Sequence, residues 1–291
     1  MTSRDFLQSL RPGQWSKNLF VFAALVFSRG ALIRPSALCA IGAFLVFCAL
    51  SGSMYLVNDV HDRTEDLRHP LKRLRPIAAG RMSSAEAIIG AVVLAAVSLI
   101  AAFALRPLFG VVAAGYLLLI LAYTFKLKNV VILDVFLIAA GFVLRVVAGG
   151  VAIGVTLSSW LIICTTLLAL FVALGKRRHE IVYLEADAAR HRSVLEEYSP
   201  YLLDQMIAVV TASTVIAYVL YTVSEETVRK FGTTELILTT PFVLYGIFRY
   251  LYLVHQKGQG GSPEELIVRD RPLAGAILLW IISVAVILYA R

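Results

Sequence analysis

The chain has 291 residues, 59% of them hydrophobic and 16% charged, with a mean hydropathy of +0.80. Those proportions exclude a water-soluble globular domain and place the chain among all-α integral membrane proteins. The net charge of +8 reads as membrane topology and attraction to anionic lipid; no aromatic–basic motif argues for nucleic acid.

In chain order, Met1 to Asn18 is polar and lacks an apolar core with a cleavage site, so no cleavable signal peptide is expected. Nine apolar spans follow, at 19–36, 38–57, 84–104, 107–125, 130–152, 157–175, 206–223, 237–254 and 273–290. Each is near the roughly 20 residues that a spanning helix needs. The first is short and is interrupted by Arg29 and Arg34. Breakers mark several joints, at Arg34-Pro35, Arg106-Pro107, Pro241 and Arg271-Pro272. Nothing in the composition divides the chain, so one helical domain over 1–291 is expected. Cys39, Cys48 and Cys164 lie within apolar runs, without metal-ligand spacing, and read as packing residues.

The second span runs directly into Asn58-Asp59-Val60-His61-Asp62-Arg63-Thr64-Glu65-Asp66. If the helix continues, Asp59, Asp62 and Asp66 share one face at i, i+3 and i+7, at the mouth of a span. Carboxylates that close repel unless a cation sits among them. Hard oxygen ligands suit Mg2+, which takes one or two carboxylates together with substrate phosphates. A solvated acidic helix end is the alternative. It fits poorly with the basic residues that follow, Arg68, Lys72, Arg73, Arg75 and Arg81. Acid for a metal followed by base for phosphate reads as a metal–diphosphate site.

Two charges fall inside the fifth span. Asp134 and Arg145 are about three turns apart, too far to pair directly. Ionisable residues in a span face the bundle interior and have a partner or a function. Asp134, nearer the span's end, is the better site candidate. Arg145 has two readings, a lipid-phosphate ligand or the partner of a polar group on another helix. The sixth span ends in Lys176-Arg177-Arg178-His179-Glu180, followed by Tyr183, Glu185 and Asp187. A continuing helix puts Lys176, Glu180, Tyr183 and Asp187 on one face. The run reads either as a positive-inside anchor or as a phosphate site, with Glu180 or Asp187 completing a second Mg2+ shell.

With nine spans, 19 Lys and Arg fall on the side that holds the N-terminus and 6 on the other. That asymmetry predicts a cytoplasmic N-terminus and an outer C-terminus. The long segments 58–83, 176–205 and 255–272 and all five histidines are then cytoplasmic, so both charged clusters end spans that run toward the cytoplasm and can face one another across a bundle. Across 58–81 and 176–192 there are 11 Lys and Arg against 7 Asp and Glu, a surplus suited to ligands with several phosphates.

Asn58-Asp59-x-x-Asp62-x-x-x-Asp66 resembles the aspartate motif of the UbiA superfamily of intramembrane prenyltransferases. The resemblance extends, within that superfamily, to the branch that carries phosphoribosyl to decaprenyl phosphate. Further segments carry it: Arg11 to Asn18 (with Lys17), His69 to Pro76, Leu133 to Phe136, Gly141 to Arg145 and Gly175 to Glu180. The resemblance implies a nine-helix UbiA-like bundle in the inner (plasma) membrane and Mg2+ on Asp59, Asp62 and Asp66. It also implies substrate contacts from Lys17, Asn58, Lys72, Arg73, Arg75, Asp134, Arg145, Lys176, Arg177, Glu180 and Tyr183. Phosphoribosyl diphosphate and polyprenyl (decaprenyl) phosphate would be the substrates, in the synthesis of a cell-wall arabinan precursor. The bilayer is the surrounding partner and a second copy of the chain a candidate one. The chain departs from the superfamily at the sixth span, where a second aspartate motif gives way to Lys-Arg-Arg-His-Glu; this speaks against ionisation of a prenyl diphosphate and for a more heavily phosphorylated load. Prenyl transfer to an aromatic acceptor is the alternative activity. Transport of an anion or a phosphorylated lipid is a third reading, disfavoured by the few charges in the spans.

Overall fold

The computed structural model describes residues 2–28, 33–68, 71–184 and 193–289, excepting the side chains of Tyr183, Leu184, Ser193, Glu264 and Val268. His69, Pro70, Glu185, Asp187, His191 and Arg192 lie outside the described residues. Every long element is a helix. The chain divides into two compact units, Met1–Leu157 and Ser158–Arg291.

In the first unit, a short helix α1 (Ser3–Ser9) leads into 3-10 winding over Pro12–Phe22 and a short α2 (Ala23–Phe27). Then come α3 (Arg34–His61), α4 (Arg63–Arg68), α5 (Ser84–Leu105), α6 (Pro107–Phe125) and α7 (Leu133–Ile153). The joints follow local chemistry. Proline sits at the start of α3 and α6, where its missing N–H costs nothing. Ser83 and Glu86 cap α5 reciprocally. The core joins Phe47, Leu50, Phe109 and Tyr116 to Ala43, Ala102, Ala113, Ala148 and Ala152. Small residues let membrane helices approach closely where lipid supplies no hydrophobic drive. Gly149 is the extreme case: a Cβ there would collide with the Val21 carbonyl of the 3-10 segment. Leu38, Leu45, Ile89, Ile100 and Leu118 point outward, as lipid-facing positions should.

The second unit comprises α8 (Ser159–Leu184), α9 (Pro200–Val223), α10 (Glu225–Phe231), α11 (Thr240–Gln256), α12 (Pro263–Arg269) and α13 (Arg271–Tyr289). The long helices pack in pairs, α8 on α9 and α11 on α13. Ser199 caps α9, and Pro241 stands in the first turn of α11 rather than inside it.

Among the described residues eight helices are long and apolar enough to cross a membrane. They are the second to ninth of the predicted spans, with boundaries shifted by a few residues. The expected first span, 19–36, is not a continuous helix: its described part is 3-10 winding and α2, and residues 29–32 are outside the description. α3 spans 28 residues, about 42 Å by helical rise, against a hydrocarbon core of about 30 Å. Its last turns, with Asn58 and Asp59, therefore overrun the apolar layer.

Candidate active site

The break between α3 and α4 falls at Asp62, which caps α3 at φ −88° and ψ 8°. Helical bonding is carried across it: Asp62 N donates to the Asn58 carbonyl and Asp66 N to the Asp62 carbonyl, each at 2.8 Å. The three carboxylates expected on one face take different partners here. Asp59 and Asp66 are buried, each 2% exposed, and converge on Arg75. Its Nη1 lies 3.1 Å from Asp59 Oδ1 and 2.6 Å from Asp66 Oδ2. Asp62 turns elsewhere: its Oδ1 takes Lys128 Nζ at 2.7 Å and its Oδ2 takes Asn58 Nδ2 at 2.9 Å. Arg75 precedes Pro76, which bars it from helix, and it is extended (ψ 144°) as it leaves the turn Lys72–Leu74. That extension carries its guanidinium back over the acidic segment.

A further cation completes this group. Arg11 donates from Nη2 to Asp59 Oδ1, the oxygen that Arg75 also reaches, and its guanidinium lies 4.8 Å from the centre of the Tyr55 ring. Its backbone is left-handed, φ 52° and ψ 65°, a conformation costing a residue with a Cβ about 1–2 kcal/mol. Strain of that kind clusters at functional positions. The sequence signal is Arg11-Pro12-Gly13, where α1 has to end before the proline. Neither Arg11 nor Lys128 is among the sequence-predicted site residues, although Arg11 heads one resembling segment; Lys128 counts there only toward topology. Arg81 fastens α1 by donating to Asp5 (2.9 Å), Gln8 (3.4 Å) and the Leu74 carbonyl (3.1 Å).

Of the other candidates in this unit, Lys17 is half-buried on the 3-10 segment, while Lys72 and Arg73 are exposed on the turn before Arg75. Asp134 is fully buried in the first turn of α7, where the helix's positive end favours a carboxylate. Arg145 is 6% exposed and pairs with other elements. Its Nε donates to Asn18 Oδ1 (2.7 Å), Nη1 to the Gly141 carbonyl (2.8 Å) and Nη2 to Tyr116 Oη (2.8 Å). Asn18 in turn donates to Ser51 Oγ (3.1 Å) and Cys48 Sγ (3.4 Å). This network ties the 3-10 segment to α3, α6 and α7.

In the second unit α8 continues past the span, as expected, to Leu184. Lys176 is half-buried; Arg177 is 2% exposed and donates to Glu180, one turn on. Arg178 grips Asp204 of α9 with two bonds, 2.5 and 3.4 Å, and His255 Nε2 lies 3.1 Å from the same carboxylate. The Gly260 N–H donates to His179 Nδ1 at 3.2 Å. Arg178 and His179 thus fasten helices and a loop. Tyr183 is helical, and Asp187 lies outside the described residues.

The acidic segment suits a divalent cation. Among the described residues no three His, Cys, Asp or Glu side chains converge as a ready cage. Two buried carboxylates do flank one cation, the Arg75 guanidinium, and Mg2+ needs only one or two carboxylates with substrate oxygens and water.

Residues 18–267 match the family model described as the UbiA prenyltransferase family. The chain is 34% identical to the decaprenyl-phosphate phosphoribosyltransferase of Mycolicibacterium smegmatis, over 97% of this chain and 92% of that one. It is 36% identical to the enzyme of the same name from Corynebacterium glutamicum, over 97% of this chain and 86% of that one. In structure it resembles a UbiA homologue from Archaeoglobus fulgidus bound to GPP and Mg2+, with a TM-score of 0.74 and 19% identity over 98% of this chain and 99% of that one.

Proposed function

The chain belongs to the UbiA prenyltransferase family, and from that premise we propose that it transfers the 5-phosphoribosyl group of phosphoribosyl diphosphate to a polyprenyl monophosphate of the decaprenyl class, releasing pyrophosphate. The observation that carries this reading is the 34–36% identity, over nearly the whole chain, to relatives named for that transfer. The fold's likeness to a solved homologue holding Mg2+ and GPP supports a metal–diphosphate site in this chain.

Asp59 and Asp66, with Asp62, would hold Mg2+, which when bound neutralises charge on the departing pyrophosphate. Arg75, Lys72, Arg73 and Lys17 would grip the diphosphate oxygens. Lys176 and Arg177 are assigned to a substrate phosphate, Tyr183 on the same helix to a substrate contact, and Glu180 to a second Mg2+ shell. The lipid phosphate is anionic near neutral pH, so its oxygen needs no strong base to attack the anomeric carbon of ribose. The new C–O bond forms as the bond to pyrophosphate breaks, through an oxocarbenium-like transition state, and positioning with fixed charge supplies most of the rate. The reading includes nine passes with a cytoplasmic N-terminus, a cytoplasmic active site in the inner membrane, and a product serving as a cell-wall arabinan precursor.

The test uses purified protein with phosphoribosyl diphosphate labelled in the ribose, polyprenyl monophosphate and Mg2+. Label should pass into an organic-extractable lipid carrying two phosphates, with pyrophosphate released in equal amount. A prenylated aromatic from polyprenyl diphosphate and 4-hydroxybenzoate, with no ribose-bearing lipid, would replace this reading by prenyl transfer.

A further inference from the structure

Each motif carboxylate is already matched by a cation from elsewhere in the first unit. Arg11 and Arg75 sit on Asp59, Arg75 on Asp66, and Lys128 on Asp62. In these pairings of described residues three carboxylates meet three cations, so their charges balance one another. A divalent cation that takes over the carboxylates reverses this, because the displaced basic side chains then become surplus beside the metal.

We propose that Arg11 is a substrate-phosphate ligand stored on Asp59, released to the diphosphate only when a divalent cation takes that carboxylate. This rests on the reading of 58–66 as a metal–diphosphate site. Asp59 Oδ1 carries two guanidiniums, Arg11 and Arg75, and Arg75 keeps a second anchor on Asp66 at 2.6 Å. Arg11 pairs with Asp59 and rests against the Tyr55 ring at 4.8 Å. Tyr55 is one turn before Asp59 on α3, so Arg11 can shift off the carboxylate and keep its cation–π contact. Its left-handed backbone at the junction of α1 and the 3-10 segment points the side chain at the end of α3, and the Arg81–Asp5 pair at 2.9 Å secures α1 behind it. A planar fork that can pair with either carboxylate or phosphate suits such a transfer.

The mechanism makes metal and diphosphate binding mutually reinforcing, each raising the other's affinity by the same factor. Competition by Arg11 holds metal affinity down when no diphosphate is present, and its release adds a charge-assisted bond when both are bound. The experiment uses detergent-solubilised full-length protein, Mn2+ titrations followed by electron paramagnetic resonance, and inorganic pyrophosphate titrations followed by calorimetry. In Arg11→Ala and Arg11→Gln, Mn2+ without pyrophosphate should bind more tightly than in the parent, while pyrophosphate at saturating Mn2+ should bind about tenfold more weakly, the scale of one charge-assisted hydrogen bond. Arg11→Lys should restore part of the pyrophosphate affinity. Tighter Mn2+ with unchanged pyrophosphate would overturn the proposal by reducing Arg11 to a competitor of the metal. Weaker or unchanged Mn2+ would overturn it by making Arg11 a support of Asp59. Pyrophosphate is common to phosphoribosyl and prenyl donors, so failure here leaves the substrate assignment standing, and failure of the lipid-product assay leaves this binding result standing.

Discussion

Asp59, Asp62 and Asp66 are alike in sequence and unlike in place. Asp59 and Asp66 are buried around Arg75, whereas Asp62, in the gap between two helices, reaches Lys128. On the proposed metal role, Asp62→Asn should still fold and be extractable, with some stability lost because the buried Lys128 loses its partner, while turnover falls by about a hundredfold or more, the scale of a lost metal carboxylate in the transition state. Normal turnover of the purified variant with Mg2+ present would remove Asp62 from the metal site. Asp66→Asn should lower turnover and also stability, because Arg75 loses a partner; about 1–3 kcal/mol is expected for a half-buried guanidinium, read as a lower melting temperature in detergent. The acids were legible because an apolar run ends in them and bases follow. Arg11 was not, because its partner lies 48 positions along the chain, and no local pattern records a contact made by folding.

At the scale of elements, Pro35, Pro107, Pro241 and Pro272 made their helix starts readable from local chemistry, whereas the Ser199 cap went unread and its helix begins at Pro200, ahead of the expected span at 206–223. The segment before α3 was harder, since its apolar composition suits a spanning helix while its winding answers to tertiary contacts. Gly149 allows the Val21 carbonyl to lie against α7, and Asn18 is clamped by Arg145 and Ser51. Gly149→Ala should push the segment off α7, at a cost of about 1–3 kcal/mol for an overpacked contact. An unchanged melting temperature for Gly149→Ala would show that the segment yields freely. Between α12 and α13, Asp270 accepts two bonds from Arg249 (3.1 and 2.8 Å) and one from the Leu273 N–H (2.9 Å). The Arg249 guanidinium is the main reason its carboxyl is held below the ordinary 3.8. A lowered folded value means that this stabilisation is present in full above 3.8 and fades as pH falls through the still lower folded value. The melting-temperature gap between the parent and Asp270→Asn should be constant from neutral pH down to mild acid and close only below that point; a gap that closes near neutrality would assign it to another group.

For the molecule as a whole, composition and span spacing made the class and eight of the helices legible, because apolar length is what a bilayer demands. Membrane orientation is a separate matter, carried by the 19 to 6 division of Lys and Arg. In a background lacking Cys39, Cys48 and Cys164, a cysteine at Arg63 should react with an impermeant maleimide only after the membrane is opened, and one at Arg229 in intact cells. The reverse pattern would invert the topology and move the aspartate segment to the outer face.

The Arg145 network also bears on how the chain enters the membrane during synthesis. A cation at mid-helix raises the cost of handing a nascent segment to lipid by about 2.5–3.5 kcal/mol. The side-chain partners that quench it, Asn18 and Tyr116, both precede it in the chain. Translation therefore delivers the acceptors before the charge, and α7 leaves the ribosome with its companions already in place. A circular permutation that began the polypeptide at α7 would keep every native contact available and reverse that order, sending Arg145 into the bilayer first.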